Sequence, residues 1–299
     1  MGAADIVPGV SGATMALILG IYEELIQSIR EVVHPPVLRA VSRVRVKELL
    51  QLVNWPFLLS VGLGILIALL SLSRGLEWLL INQPVYLWSF FFGLVAASVF
   101  VVARRIKRWQ PGLVAALIGA AIGTYWLVGL VPAQTPNTYG FLFLSGMLAI
   151  CAMILPGISG AFILVLLGKY QYVLSAVNTR DFVTLFFVAM GASVGIVTFA
   201  QIIGWMFKRY HDWVVALLTG LMLGSLRKVW PWKEIVSYLE DSQGNQILDS
   251  HGALIVALER NILPNFSTDG GQIALAVVLA LVGFGLVLLM SRFAGEEHA

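Results

Sequence analysis

Apolar residues run along this chain in blocks, at about 49–73, 84–103, 111–131, 181–207, 211–228 and 272–291, separated by short polar or basic stretches. Each block is close to or beyond the roughly 20 helical residues that cross a hydrocarbon core of about 30 Å, so the pattern predicts six transmembrane helices. Two further apolar stretches, about 4–29 and 139–177, are interrupted by a Pro-Gly-x-Ser-Gly run, from Pro8 and from Pro156. Proline removes an amide donor and glycine loosens the backbone. Such a break at membrane depth is tolerated only where protein or a wet cavity satisfies the freed groups. Both stretches are therefore predicted as re-entrant hairpins, over about 1–33 and 139–177.

The two interruptions belong to a repeat. At an offset of 148, ADIVPGVSGATMALILGIYEELIQS from Ala4 matches AMILPGISGAFILVLLGKYQYVLSA from Ala152 with ten of 25 positions identical. A shorter echo at an offset of 127 aligns Phe90–Ser98 with Leu217–Ser225. Each unit then holds one hairpin and three spans, and an odd number of spans makes the second copy enter the membrane from the opposite side. The predicted fold is an all-α integral membrane protein built as an inverted repeat. Its first half is 1–138 and its second 139–299, with a polar segment at 229–271. Residues 139–151 supply the leading arm of the second hairpin; the matching arm of the first would precede Met1, so it is either absent or the chain begins late.

Composition agrees with this placement. With 59% hydrophobic and 12% charged residues and a mean hydropathy of +0.89, the 299-residue chain has too little polar surface to cover a water-soluble fold. A net charge of only +3, spread in short clusters between apolar runs, argues against nucleic-acid binding. The single cysteine, Cys151, excludes an internal disulfide, and His34, His211, His251 and His298 sit in connectors or the tail, so no metal site or cofactor is expected. The first 30 residues lack the pattern of a cleaved secretory signal. Basic clusters read as topology signals: Arg39, Arg43, Arg45 and Lys47, then Arg104, Arg105, Lys107 and Arg108, then Lys208 and Arg209 all fall in loops predicted cytoplasmic, and the carboxyl terminus ends on the same side. The connectors 74–83 and 132–138 and the segment 229–271 then lie outside. Arg227 and Lys228 are the one exception to this bias, beside Trp230 and Trp232 as interface anchors.

The half-helix after the first break is predicted to begin near Ser11. Its opening amides lack intrahelical partners and aim a partial positive charge into the membrane, which suits an anion. Gly9 and Gly12 allow close approach to the backbone, and the Ser11 and Thr14 hydroxyls can donate to oxyanion oxygens. The second copy offers Gly157, Ser159 and Gly160, with Phe162 in place of Thr14. Helix capping by each serine is the alternative reading. Eleven residues, about 16 Å of helix, separate Ser11 from Tyr22, which places Tyr22 at the interface. Asp5, beside the first tip, is a candidate proton or cation site. Glu23 and Glu24 either form a solvated face or are further candidate coupling or proton sites that sense the open side of a cavity. Arg74 with Glu77 in the outer connector, and Arg104 and Arg105 at the inner face, are candidate head-group contacts; an exposed ion pair and orientation charges are the alternatives. Gln201, Thr198, Thr219, Ser98 and Ser225 are expected to bond to backbone or to neighbouring helices, and Cys151 to pack.

These residues resemble a family, the bacterial polyprenyl-phosphate transporters. The resemblance rests on GAADIVPGVSGATMALILGIYEELI from Gly2, ILPGISGAFILVLLGKY from Ile154 and FFFGLVAAS from Phe90, and covers nearly the whole chain. It implies recycling of undecaprenyl phosphate from the outer to the inner leaflet of the bacterial plasma membrane, on a fold with two re-entrant hairpins in inverted repeats. The chain departs from the family pattern in lacking an apolar lead-in before GAAD and in having Ala13 where a second glycine is usual. The implied partners are the lipid, the bilayer and a coupling proton or cation, with a homo-oligomer left open. A secondary transporter of a small soluble anion could use the same half-helix ends. A lipid phosphatase is disfavoured, because no histidine lies within an apolar segment, and a scaffold or assembly role would leave the tips empty.

Overall fold

A computed structural model of the chain describes residues 1–6, 10–32, 36, 37, 39, 51–133, 135–238, 246, 254, 256–266 and 269–296. Gly9 and the basic residues Arg43, Arg45 and Lys47 lie outside the described residues. The helices are α1 (Gly2–Ile6), α2 (Gly12–Ile18), α3 (Tyr22–Val32), α4 (Trp55–Asn82), α5 (Pro84–Ala103), α6 (Pro111–Leu127), α7 (Tyr139–Ile154), α8 (Gly160–Leu166), α9 (Tyr170–Thr179), α10 (Phe182–Ser225) and α11 (Gly270–Glu296). α4, α5, α10 and α11 are each long and apolar enough to cross a membrane. α6 and α7 are shorter apolar helices, and α8 and α9 form an apolar pair bent by 105°.

Helix starts follow local chemistry. Proline occupies the first turn of α4, α5 and α6, where its missing amide costs nothing. Asp181 caps α10 by accepting from the Thr184 amide at 3.2 Å and the Thr184 hydroxyl at 2.7 Å. The predicted span 84–103 coincides with α5, and 272–291 lies inside α11. The predicted span 49–73 is instead α4, shifted toward the carboxyl terminus. Arg74 and Glu77 therefore sit on the helix, exposed, and not in a connector. Arginine and glutamate are good helix formers, so the helix continues until Gln83 and Pro84 stop it. The predicted spans 181–207 and 211–228 join as the 44 residues of α10, broken only at Tyr210 (φ −138°, ψ 48°). Unbroken, they would extend about 66 Å, twice a hydrocarbon core. The polar segment adds a feature the pattern did not predict: strands β1 (Lys233–Tyr238) and β2 (Val256–Asn261) pair antiparallel, with Glu234 opposite Arg260.

Local geometry repeats with the sequence. The offset of 148 that aligns the two motifs also carries the start of α2 at Gly12 onto α8 at Gly160 and α3 at Tyr22 onto α9 at Tyr170. Gly20 and Gly168, at matching positions in the following turns, both take left-handed φ values, +78° and +64°, that favour glycine. Ser11 (φ −124°, ψ 136°) and Ser159 (φ −97°, ψ 135°) are both extended caps.

α2 lies at the centre, against α1, α3, α5, α7 and α11, with every residue but Met15 buried. α8, its counterpart, has no buried residue. The carboxyl-terminal arm of α10 packs on α6, and α5 packs on α11. Both contacts are backbone against backbone: Gly220 meets the Leu117 carbonyl, Gly93 the Ala280 carbonyl and Gly283 the Phe90 carbonyl, each with no room for a methyl group. In lipid no hydrophobic force drives helices together, and small residues make close van der Waals packing the substitute. α4 has no buried residue and turns leucines outward, Leu70 at 76% exposure, as a surface against hydrocarbon does. Gly93→Val is expected to lower stability by about 1–3 kcal/mol by forcing α5 from α11, whereas Gly62→Ala on the open face of α4, with nothing within 4 Å, should leave it unchanged. Thermal unfolding in detergent, followed by intrinsic fluorescence, checks both.

Candidate functional site

The first break folds back on its own side chains. Ser11, 2% exposed, accepts from the Ala13 amide at 3.2 Å, and Asp5 Oδ1 accepts from the Gly12 amide at 2.6 Å. A Cβ at Gly12 would lie 2.8 Å from the Asp5 carboxyl carbon, so glycine is what admits the carboxylate. The position predicted for an anion at the start of α2 thus holds a carboxyl group already, supplied by the chain. Ser11 serves as the helix cap named above as the alternative reading.

The two breaks touch. Thr14 Oγ1 accepts from the Gly157 amide at 3.2 Å, across 143 residues of sequence. Gly157 (φ +86°) sits against Ser225, whose Oγ a Cβ would approach to 2.8 Å. Tyr22, expected at the interface, is 1% exposed: α2 stops at Ile18, the chain turns at Gly20, and the Tyr22 hydroxyl donates to the Ile154 carbonyl at 3.1 Å. Gly20 at positive φ ends the half-helix earlier than its apolar pattern suggests.

The second tip is open. Ser159 makes no side-chain cap bond and lines a cavity of about 420 Å³. Gly160 lies against the Ala149 carbonyl of α7, where a Cβ would come within 2.7 Å. The cavity is lined by apolar side chains, among them Val128, Leu130, Phe162, Val165 and Leu166, and by Arg227, Lys228, Lys233 and Glu259, with Asp5 at its border; the Lys228 ammonium lies 5.8 Å from the centre of the Phe162 ring. Arg227 donates to the Tyr125 carbonyl at 2.8 Å and lies 4.4 Å from the centre of that ring. Lys228 and Lys233 both reach Glu259 Oε2, at 3.1 and 3.2 Å, and the Lys233 ammonium lies 4.0 Å above the Trp88 ring. Burial lowers the Lys233 ammonium to about 8, with Lys228 adding to the shift and Glu259 opposing it. Burial would raise the Glu259 carboxyl, but Lys233 and Lys228 hold it below the usual carboxylate value.

The remaining predicted residues lie apart from the tips. The Arg105 guanidinium donates to the Ile18 carbonyl at the end of α2, at 3.3 Å, and Arg104 lies 4.1 Å from the Phe100 ring centre. Glu23 faces His211 Nε2 at 3.3 Å beside the break in α10, and Glu24 accepts from Asn54 at 3.0 Å. Arg74 is exposed on α4. Ser98, Thr219 and Ser225 donate to carbonyls of their own helices at 2.6, 2.7 and 2.8 Å, as expected, and Thr198 does the same to Val194. Gln201 accepts from Arg30 at 3.0 Å. Sequence reasoning missed the cluster of Arg227, Lys228, Lys233 and Glu259 as a site. Its signal was present in the exception that Arg227 and Lys228 make to the charge bias. It also missed Lys169, 1% exposed, which donates to the Thr135 carbonyl and Asn137 Oδ1 at 2.5 and 2.6 Å and ties the turn before α9 to the connector before α7.

The profile of a family described as undecaprenyl phosphate translocase-like matches residues 1–247. The chain is 40% identical over 298 residues to a polyprenyl-phosphate transporter of Vibrio cholerae serotype O1, covering 98% of this chain and 94% of that one. It is 30% identical over 253 residues to a polyprenyl-phosphate transporter of Staphylococcus aureus, covering 77% and 83%. No solved structure matches.

The Tyr22 hydroxyl joins the two units through the Ile154 carbonyl. Tyr22→Phe should therefore cost about 1 kcal/mol of stability, whereas Tyr170→Phe at the equivalent position, 37% exposed, should cost nothing measurable. Paired thermal melts in the same detergent decide between them.

Proposed function

This chain belongs to the undecaprenyl phosphate translocase-like family, and from that premise we propose that it carries undecaprenyl phosphate from the outer to the inner leaflet of the bacterial plasma membrane. It is a multi-pass membrane transporter and not an enzyme. In this reading, residues 1–138 and 139–299 are inverted repeats whose broken helices are re-entrant, and transport proceeds by alternating access around their tips. The basic loops with Arg104, Arg105, Lys208 and Arg209 and the carboxyl terminus face the cytoplasm, and the cavity beside β1 and β2 faces outward.

A phosphate cannot cross hydrocarbon bare, because burying an unpaired anion costs many kcal/mol. The single observation that carries the proposal is the cavity that joins cationic side chains, apolar side chains and the uncapped Ser159 tip. Such a cavity receives a charged head group while its chain stays against apolar side chains and lipid. A soluble anion would have no use for the apolar lining. Ser11, Thr14 and Ser159, with the backbone at Gly9, Gly12, Gly157 and Gly160, replace the water of the phosphate as it passes. Asp5 is the coupling site: its carboxylate holds the Gly12 amide and also borders a second, apolar cavity of about 150 Å³ beside Tyr22 and Ile26. Protonation, or a cation, would release that amide to the substrate.

The test is a leaflet-exchange assay with undecaprenyl phosphate in proteoliposomes. Ser11→Ala combined with Ser159→Ala should reduce the rate by at least about tenfold, the loss of one or two hydrogen bonds to a charged group, in protein whose melting temperature shows that it is folded. A wild-type rate in that double variant would overturn the assignment of the tips.

A further inference from the structure

Resting on the transport reading above, one group of side chains at the cavity has a more specific chemistry. Arg227, Lys228 and Lys233 bring three positive charges to one cavity, and Glu259 offsets one of them. The other lining acid, Asp5, is held by the Gly12 amide at 2.6 Å. Two ammonium groups from different elements, Lys228 after α10 and Lys233 at the start of β1, converge on a single oxygen, Glu259 Oε2, at 3.1 and 3.2 Å. That is the geometry in which two lysines hold one phosphate oxygen. The Arg227 guanidinium is fixed beside them by the Tyr125 ring and carbonyl, and Gly129 leaves no room for a methyl group beneath it. A guanidinium has five N–H donors, so those not spent on Tyr125 remain available to further phosphate oxygens.

We propose that Arg227, Lys228 and Lys233 form a capture site for the phosphomonoester head of a lipid, in which Glu259 stands in for the phosphate and gives up the two lysines when it arrives. Three cationic side chains that can face one phosphate suit a phosphomonoester, which carries about −1.5 to −2 near neutral pH, better than a phosphodiester lipid with its single charge. Glu259 keeps the lysines from standing unpaired in a partly buried wall while the site is empty, which would otherwise be costly. It also sets a threshold: a ligand must outcompete a carboxylate, and a singly charged head group does not. Ser159 borders the same cavity, so a captured head group shares its cavity with the second tip.

The experiment is binding of labelled undecaprenyl phosphate to the full chain in nanodiscs, with undecaprenol, phosphatidylglycerol and inorganic phosphate as competitors. Lys228→Gln and Arg227→Gln should each weaken binding about tenfold, and Lys228→Arg should restore most of it. Glu259→Gln should tighten binding severalfold, because the internal competitor is gone; unchanged or weaker binding in that variant overturns the proposal by making Glu259 a structural tie. For a readout free of variants, excess phosphatidylglycerol should leave the wild-type complex intact, and its full displacement would equally overturn monoester capture. Competition by inorganic phosphate would place recognition in the phosphate group alone; displacement by lipid phosphate but not by inorganic phosphate would add a requirement for the chain. Either result keeps the capture site. Wild-type protein that binds undecaprenol as tightly as its phosphate would sink the transport reading itself, whereas normal binding and transport in Lys228→Gln and Arg227→Gln would remove only the capture site.

Discussion

An interrupted helix inside an apolar interior exposes amides that must find partners, and that constraint organises this molecule. The first Pro-Gly break finds them in Asp5 and Ser11, which accept from Gly12 and Ala13. The second finds one in Thr14, which accepts from Gly157. Because the acceptor for the second break comes from the first unit, the units cannot separate at this point without stranding a buried amide. Tyr22 and the Ile154 carbonyl add a second tie of the same kind. The centre of the molecule is thus a small polar seam, and the long helices are arranged around it.

Duplicated sequence need not mean equivalent sites. Both breaks start a seven-residue helix from an extended serine, yet α2 is buried and α8 is not. Two substitutions between the copies accompany this difference, and a tyrosine common to both copies takes different surroundings. Thr14 supplies the hydroxyl that Phe162 cannot. Lys169, where the first copy has Ile21, draws the turn before α9 toward Thr135 and Asn137. Tyr22 is enclosed, whereas Tyr170 borders the cavity. One tip is the buried half of the seam and the other its accessible half.

The cationic cluster departs from the charge bias of the rest of the chain. Arg227 and Lys228 lie at the end of the helix opposite the basic loops, where a charge serving only orientation would be misplaced. Their cost there is offset by Tyr125, Glu259 and the wall of the cavity. Lys233 and Glu259 arrive from strands that pair only because the polar segment folds back on itself, and each shifts the other's protonation.

Much was legible before any coordinates. The lipid-facing composition, the blocks that became α5 and α11, the doubled break and the extended serines before α2 and α8 all follow from local chemistry. Apolar period, proline without an amide and glycine at a turn act over a few residues and leave the same mark in any context. Contacts between distant residues left no such mark. That Asp5 would fill the place predicted for a ligand, that Thr14 would serve the other copy's backbone, and that Tyr22 would be enclosed depended on which helix came to lie beside which. That choice rests on glycine-sized gaps between backbones, such as Gly93 on Ala280 and Gly220 on Leu117. The sequence by itself determined where the backbone would break and what kind of solvent surrounds it; only the tertiary structure decided which broken end is occupied from within and which is left open, because pairing a buried amide is a contact between distant residues.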